Sequence, residues 1–106
     1  MSTERQWVSA IPRGDLEPDD VTAVTIGTRE YIVYDADDGL YASAPLCSHG
    51  RAHLVDGYFD GHVIECPLHQ GCFDVRTGDA RGLPATRPLR MFEVRVVDDI
   101  VEIRTT

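Results

Sequence analysis

The feature that most limits what this chain can become is a pair of short motifs, each joining a cysteine to a histidine. They are Cys47-Ser48-His49 and Cys66-Pro67-Leu68-His69, with residues 50–65 between them. Each half offers one thiolate and one imidazole. Two loop tips that face each other would present two cysteines and two histidines to a single metal centre. The fold must therefore bring two separated loops to one point and hold them there. Gly50 and Gly71 follow the motifs, and Gly57 and Gly61 lie between them, where backbone has to pass close to a bulky group. Pro67 stiffens the second loop and removes one N–H donor beside the centre.

Two kinds of centre accept a Cys₂His₂ set. Structural zinc does so tetrahedrally, but its usual spacing keeps cysteines together in one half-site and histidines in the other. Here each half is mixed, and C-x-H is an unusual zinc half-site. The second is a [2Fe–2S] centre in which two cysteines hold one iron and two histidines the other. Mixed pairs suit that arrangement, because each loop then supplies one ligand to each iron.

The ends of the chain read as strands. Val21 to Ile26 is rich in Val, Thr and Ile; Arg29 to Asp35 and Leu40 to Ser43 flank the turn signal Ala36-Asp37-Asp38-Gly39. Phe92, Val94 and Val96 alternate with Glu93 and Arg95, and Val101 and Ile103 alternate with Glu102 and Arg104, with Asp98-Asp99 as a turn between. A period of two describes half-buried strands. No stretch holds a helical period over three turns, so the class is all-β. The middle, Pro45 to Pro88, is rich in Gly and Pro and contains every cysteine and histidine of the chain. Binding groups usually sit on such loops, placed by a rigid scaffold.

The stretch CSHGRAHLVDGYFDGHVIECPLHQGCFDVRTG, Cys47 to Gly78, resembles the two Rieske boxes of bacterial dioxygenase ferredoxins. Pro84-Ala85-Thr86-Arg87-Pro88-Leu89, followed by Phe92-Glu93-Val94, resembles that family's loop and return strand, and the N-terminal strands fit loosely. The resemblance implies one Rieske domain over residues 1–106, an antiparallel β-sandwich or barrel framework carrying a small cluster-binding subdomain at about residues 45–88. It also implies one [2Fe–2S] cluster per chain. Cys47 and Cys66 would bind the inner iron, and His49 and His69, through their Nδ1 atoms, the outer, more exposed one. Leu54 and Pro88 would help shield it.

Charge counting gives the physical point. Two Fe³⁺, two sulfides and two thiolates sum to zero when oxidised and −1 when reduced. An all-cysteine cluster is two units more negative in each state, so replacing two thiolates by neutral imidazoles raises the potential into the Rieske range of about −150 to +300 mV. High-potential members of the family carry an extra disulfide-forming cysteine in each box and a serine hydroxyl near the cluster. Ala52, Leu68 and Gly71 stand at those positions here. Hydrogen bonds to the cluster sulfurs stabilise the added electron, so their loss points to the low end of the range.

The remaining residues narrow the function class. The chain of 106 residues is 42% hydrophobic, which excludes compositional disorder, and its size suits one domain. Its net charge of −8, with arginine as its only basic side chain apart from histidine, argues against nucleic acid and anionic lipid surfaces as partners. No apolar run reaches the ~20 residues of a membrane span and no targeting segment is visible, so the expected compartment is the cytoplasm, where cysteines serve as ligands or thiols rather than disulfides. No second 2-His-1-carboxylate set and no G-x-G-x-x-G motif stands out.

The chain thus reads as a carrier rather than a catalyst. By the resemblance it passes single electrons from a flavin-containing NAD(P)H-dependent ferredoxin reductase to the terminal oxygenase of an aromatic-ring-hydroxylating dioxygenase system, as a monomer. The alternatives are a Rieske-like small subunit of an oxidoreductase such as nitrite reductase, and a structural zinc module. Cys72 is expected to pack as a small buried hydrophobe, with a redox-sensitive thiol as the sharper reading. His53 and His62 lack ligand spacing and read as ordinary polar residues. Arg51, Asp56 and Asp60 read as solvated charges near the tip, able to steer a partner. Trp7, Tyr31, Tyr34 and Phe92 read as core or strand-face aromatics, and Thr77-Gly78-Asp79 as a turn.

Overall fold

A computed structural model describes residues 7–47, 52–67, 71–82 and 87–105. Among them are eleven strands: β1 (Trp7–Pro12), β2 (Val21–Ile26), β3 (Arg29–Ala36), β4 (Gly39–Ser43), β5 (Tyr58–Phe59), β6 (Val63–Glu65), β7 (Cys72–Asp74), β8 (Ala80–Gly82), β9 (Met91–Phe92), β10 (Val94–Val97) and β11 (Ile100–Arg104). Every strand pairing is antiparallel. They form three sheets in the orders β1-β11-β10, β2-β3-β4-β9 and β5-β6-β7-β8. The first two are the framework. The third is inserted between β4 and β9 and carries the second cysteine–histidine motif, so the expected cluster-binding subdomain is a small sheet as well as two loops.

β3 organises the molecule. Its run Tyr31-Ile32-Val33-Tyr34 is buried throughout, and alternation sends successive side chains to opposite faces of the sheet. Tyr31 and Val33 join Leu16, Val24, Ala42, Val101 and Ile103 in the core between the framework sheets. Ile32, Tyr34 and Ala36 face the other way, into a core with Leu54, Phe59, Ile64, Phe73, Val75, Leu89 and the cysteines Cys47 and Cys66. Each fully buried side chain of this size contributes roughly 1.5–3 kcal/mol. The framework core and the core under the cysteines therefore share one strand, and the position of the motif loops is fixed from the middle of the protein.

The aromatic residues lie as the sequence suggests. Tyr31 and Phe92 meet edge to face at 5.0 Å, and Tyr34 and Phe59 lie 5.5 Å apart. Trp7 is a strand-face residue, with the Arg95 guanidinium 4.2 Å from its ring centroid.

Two framework details depart from the simple alternating pattern. β1 carries a bulge between Ser9 and Ile11 opposite β11, and the extra residue breaks the period that would have marked it as a strand. On β10, Val96 is 42% exposed although it pairs with fully buried Val101. β10 is the edge strand of its sheet, and there the core no longer covers the inward face. The Asp98-Asp99 turn is confirmed, with both residues at positive φ (52° and 63°), as a two-residue type I′ hairpin requires.

Several contacts tie the inserted sheet to the framework, among them an Arg76–Asp38 ion pair at 3.9 Å. Asp37, at the tip of the β3–β4 hairpin, donates its N–H to Gly61 O (3.2 Å), and its carboxylate meets His62 Nε2 at 2.9 Å. On the return path, Leu89 donates to Gly78 O at 2.8 Å. Gly78 has φ 84°, and a Cβ there would lie 2.6 Å from Leu89 O, so this contact needs glycine twice over.

Candidate metal centre

Cys47 is the fourth residue beyond β4, and Cys66 follows β6 directly. Both are buried, 4% and 1% exposed, in the same core. Their backbones are held alike: Cys47 N–H donates to Ala52 O at 3.0 Å, and Cys66 N–H donates to Gly71 O at 2.7 Å. Each cysteine thus opens a loop closed onto the fifth residue beyond it. In sequence, His49 falls inside the first loop and His69 inside the second. Both histidines lie outside the described residues, as do Arg51 and Leu68.

Backbone beyond the first loop brings the two motifs together. Residues Leu54–Asp56 form a 3-10 turn, which ends at Gly57 with φ −80° and ψ 174°. Any residue can adopt that conformation, so glycine is required here for space. A Cβ at Gly57 would collide with Glu65 O and stand 3.1 Å from both Leu54 O and Ile64 Cδ1. The turn that follows the first loop is therefore seated directly on the strand that leads into Cys66.

A hydroxyl relay supports the approach to Cys47. Ser43 donates to Ala44 O at 2.8 Å, which leaves its oxygen to accept from Tyr34 O–H at 2.7 Å. Burial pushes the Tyr34 phenol far above its ordinary range, and the Ser43 hydrogen bond offsets this only in part. The phenol is thus a fixed neutral donor.

The donor chemistry fits an iron–sulfur group. Two soft sulfur donors sit buried at the base of two loops of equal closure, the pattern expected of the inner half of a Cys₂His₂ set. Gly71 is buried and its carbonyl is occupied by Cys66 N–H, and the position carries no side-chain hydroxyl. Ala52 is buried and likewise apolar.

A family model for the Rieske [2Fe–2S] domain matches residues 6–93. The chain belongs to the Rieske [2Fe–2S] family. It is 41% identical over 91 residues to the ferredoxin component of the naphthalene 1,2-dioxygenase system of Pseudomonas putida, covering 86% of this chain and 88% of that one. It matches a chain in the complex of reduced oxygenase and oxidised ferredoxin of carbazole 1,9a-dioxygenase, with 38% identity, a TM-score of 0.86 and 94% of each chain covered. A nitrite reductase small subunit shares the fold at 22% identity and TM-score 0.76, covering 92% of this chain and 96% of that one, a likeness that carries fold alone. The chain is a Rieske ferredoxin, an electron carrier with one [2Fe–2S] cluster rather than a catalyst in its own right.

In this Rieske ferredoxin other residues stand partly where the sequence put them. Leu54 is fully buried beside the cysteines, whereas Pro88 is exposed and lines a shallow depression with Ala44 and Leu46. Leu46, next to Cys47, is 45% exposed. Asp56 and Asp60 are exposed. Asp60 accepts from the N–H groups of Val63 and His62, which hold its carboxyl below the usual range.

Cys72 is the clear correction: it is half-buried, not buried. It pairs with Glu65 and precedes fully buried Phe73 on β7, so alternation turns it to the outer face. Desolvation, and then the charges of Glu65 and Asp60, push its thiol up, opposite to what an activated cysteine needs.

Asp74 has more to do than its place near a turn suggests. It is buried, and it accepts from Arg76 N–H at 2.9 Å and from the Arg76 and Arg81 guanidiniums at 3.3–3.5 Å. Burial alone would raise its pKa, but the Arg76 hydrogen bonds and the two cations outweigh that and hold it low. The turn itself runs over residues 75–77, slightly earlier than expected, with Gly78 N–H donating to Asp74 O at 2.6 Å.

Proposed function

We propose that this ferredoxin carries single electrons from a flavin-containing NAD(P)H-dependent reductase to the terminal oxygenase of an aromatic-ring-hydroxylating dioxygenase system. Its cluster would be held by Cys47, His49, Cys66 and His69, in one domain whose binding segment spans about residues 45–88. The observation that carries the ligand assignment is the matched pair of loops: each opens on a buried cysteine, closes by a backbone hydrogen bond to the fifth residue on, and has a histidine in its interior in sequence.

When bound, the cluster supplies a one-electron redox couple. The chain's own part is to hold two thiolates in an apolar core, with Cys47 and Cys66 buried against the residues beneath β3. Apolar residues at 52 and 71 withhold the hydroxyl and disulfide features of high-potential relatives, which supports a potential at the low end of the Rieske range. The surplus of acidic residues supports a monomer that meets protein partners rather than nucleic acid or lipid. Among the described residues no helix is long and apolar enough to cross a membrane.

The test is reconstitution. A cognate reductase and oxygenase should turn over only when this chain is added. A pair that turns over at the full rate without it would refute the carrier role, and co-purification in fixed stoichiometry with a catalytic subunit would favour a permanent subunit instead.

A further inference from the structure

The two motif loops are held in different ways. Residues 66–71 close a hairpin between β6 and β7, whose pairs Glu65–Cys72 and Ile64–Phe73 continue into a four-stranded sheet. The first loop, residues 47–52, has no such support among the described residues. Its stem consists of one isolated bridge, Leu46–His53, with the bonds Cys47 N–H to Ala52 O and Leu54 N–H to Pro45 O (2.9 Å).

Besides the core packing of Cys47, Ala52 and Leu54, the stem is linked to the framework by the His53 ring. Its Nδ1 accepts from Val55 N–H at 3.2 Å, so the hydrogen is on Nε2, which donates to Glu30 Oε1 at 2.6 Å. Glu30 lies on β3, paired with Thr25. With both ring nitrogens engaged, the imidazole has one orientation, and it links the foot of the first loop to the central framework strand. The two side chains are only 28% and 41% exposed.

We infer that the His53–Glu30 pair is a positioning device for the first cluster loop, standing in for the sheet that, among the described residues, the second loop has and the first lacks. His53 and Glu30 act through the loop and not on the cluster. The inference rests on the proposal that Cys47 and His49 are ligands.

The test uses the full-length holoprotein and the variants His53→Ala, Glu30→Ala and Glu30→Gln, the last keeping an oxygen that accepts from Nε2–H. Both alanine variants should speed amide exchange at Cys47 and Leu54 about fivefold, the scale of one partly exposed hydrogen bond, and leave Cys66 unchanged. They should also speed cluster release and broaden the EPR signal of the reduced protein. Glu30→Gln should restore wild-type behaviour, and the double alanine variant should be no worse than either single one. Equal loss of protection in both loops, or unchanged exchange and EPR line shape in both alanine variants, would overturn the inference. A wild-type protein without a Rieske spectrum would instead overturn the ligand proposal, and the exchange contrast between the loops would still decide the tether.

Discussion

Replacing Gly57 by alanine puts the seat between the two motif loops to the test. The backbone angles at Gly57 suit alanine, so no conformational strain is added. The cost comes from space alone. Two of the three atoms a Cβ would meet are the carbonyl oxygens of Glu65 and Leu54, which cannot rotate aside, and the third is Ile64 Cδ1 in a fully buried side chain. Overpacking typically costs about 1–3 kcal/mol, and rigid backbone neighbours place this case in the upper half, about 2–3 kcal/mol.

For a chain of 106 residues, an unfolding entropy of roughly 2.1 cal/mol/K per residue gives about 0.22 kcal/mol/K, so the melting temperature should fall by about 9–14 °C. The displaced strand leads straight into Cys66, so cluster bleaching should accelerate in parallel. The assay is a thermal scan at one fixed rate followed by visible absorption and by circular dichroism, with Gly14→Ala as control, since nothing lies within 4 Å of a Cβ there. Indistinguishable melting of the two variants would refute the claim that the turn must sit on β6.

Three further outcomes are expected. Asp99→Gly removes a non-glycine residue at φ 63° and should stabilise by about 0.5–1 kcal/mol, seen as a rise of about 2–5 °C. Asp74→Asn should cost about 1–2 kcal/mol by weakening the bonds to Arg76 and Arg81. Because the folded pKa of Asp74 is depressed, its contribution is present above the unfolded value near ~4 and fades as pH falls through the folded value. The variant's deficit should therefore be full at neutral pH and shrink below pH ~4 in urea titrations. Cys72→Ala should leave the EPR spectrum and potential unchanged, and the wild-type Cys72 thiol should alkylate slowly until pH rises above the ordinary thiol range, because its pKa is raised.

The framework was legible where local pattern and turn chemistry agree. β2, β3, β4 and the β10–β11 hairpin carry Val, Ile, Thr and Tyr between recognisable turns and formed where the pattern put them, except that the expected strand from Phe92 to Val96 divides at Glu93, Met91–Phe92 pairing with β4 as β9 and Val94–Val97 with β11 as β10. β1 was hidden by its bulge. β5 to β8 are two or three residues long, too short to display a period, and their pairing follows from packing on the core beneath β3.

At the site, the cysteines announced themselves by spacing. Their supports did not. His53 finds Glu30 twenty-three residues upstream. Gly57 matters through an approach of backbone that exists only in the folded chain, and Asp74 gathers arginines that sequence alone leaves scattered. Cys72 departs from its expected burial because burial depends on which face of β7 it takes, and that is set by Phe73.

The account rests most heavily on mixed ligation of one cluster by two cysteines and two histidines. The measurement that reaches it directly is EPR of the dithionite-reduced protein with iron, sulfide and zinc quantified on the same sample. A rhombic signal with average g below that of all-cysteine clusters, and two irons per chain, is the predicted result. A colourless, EPR-silent protein with one zinc per chain would contradict it.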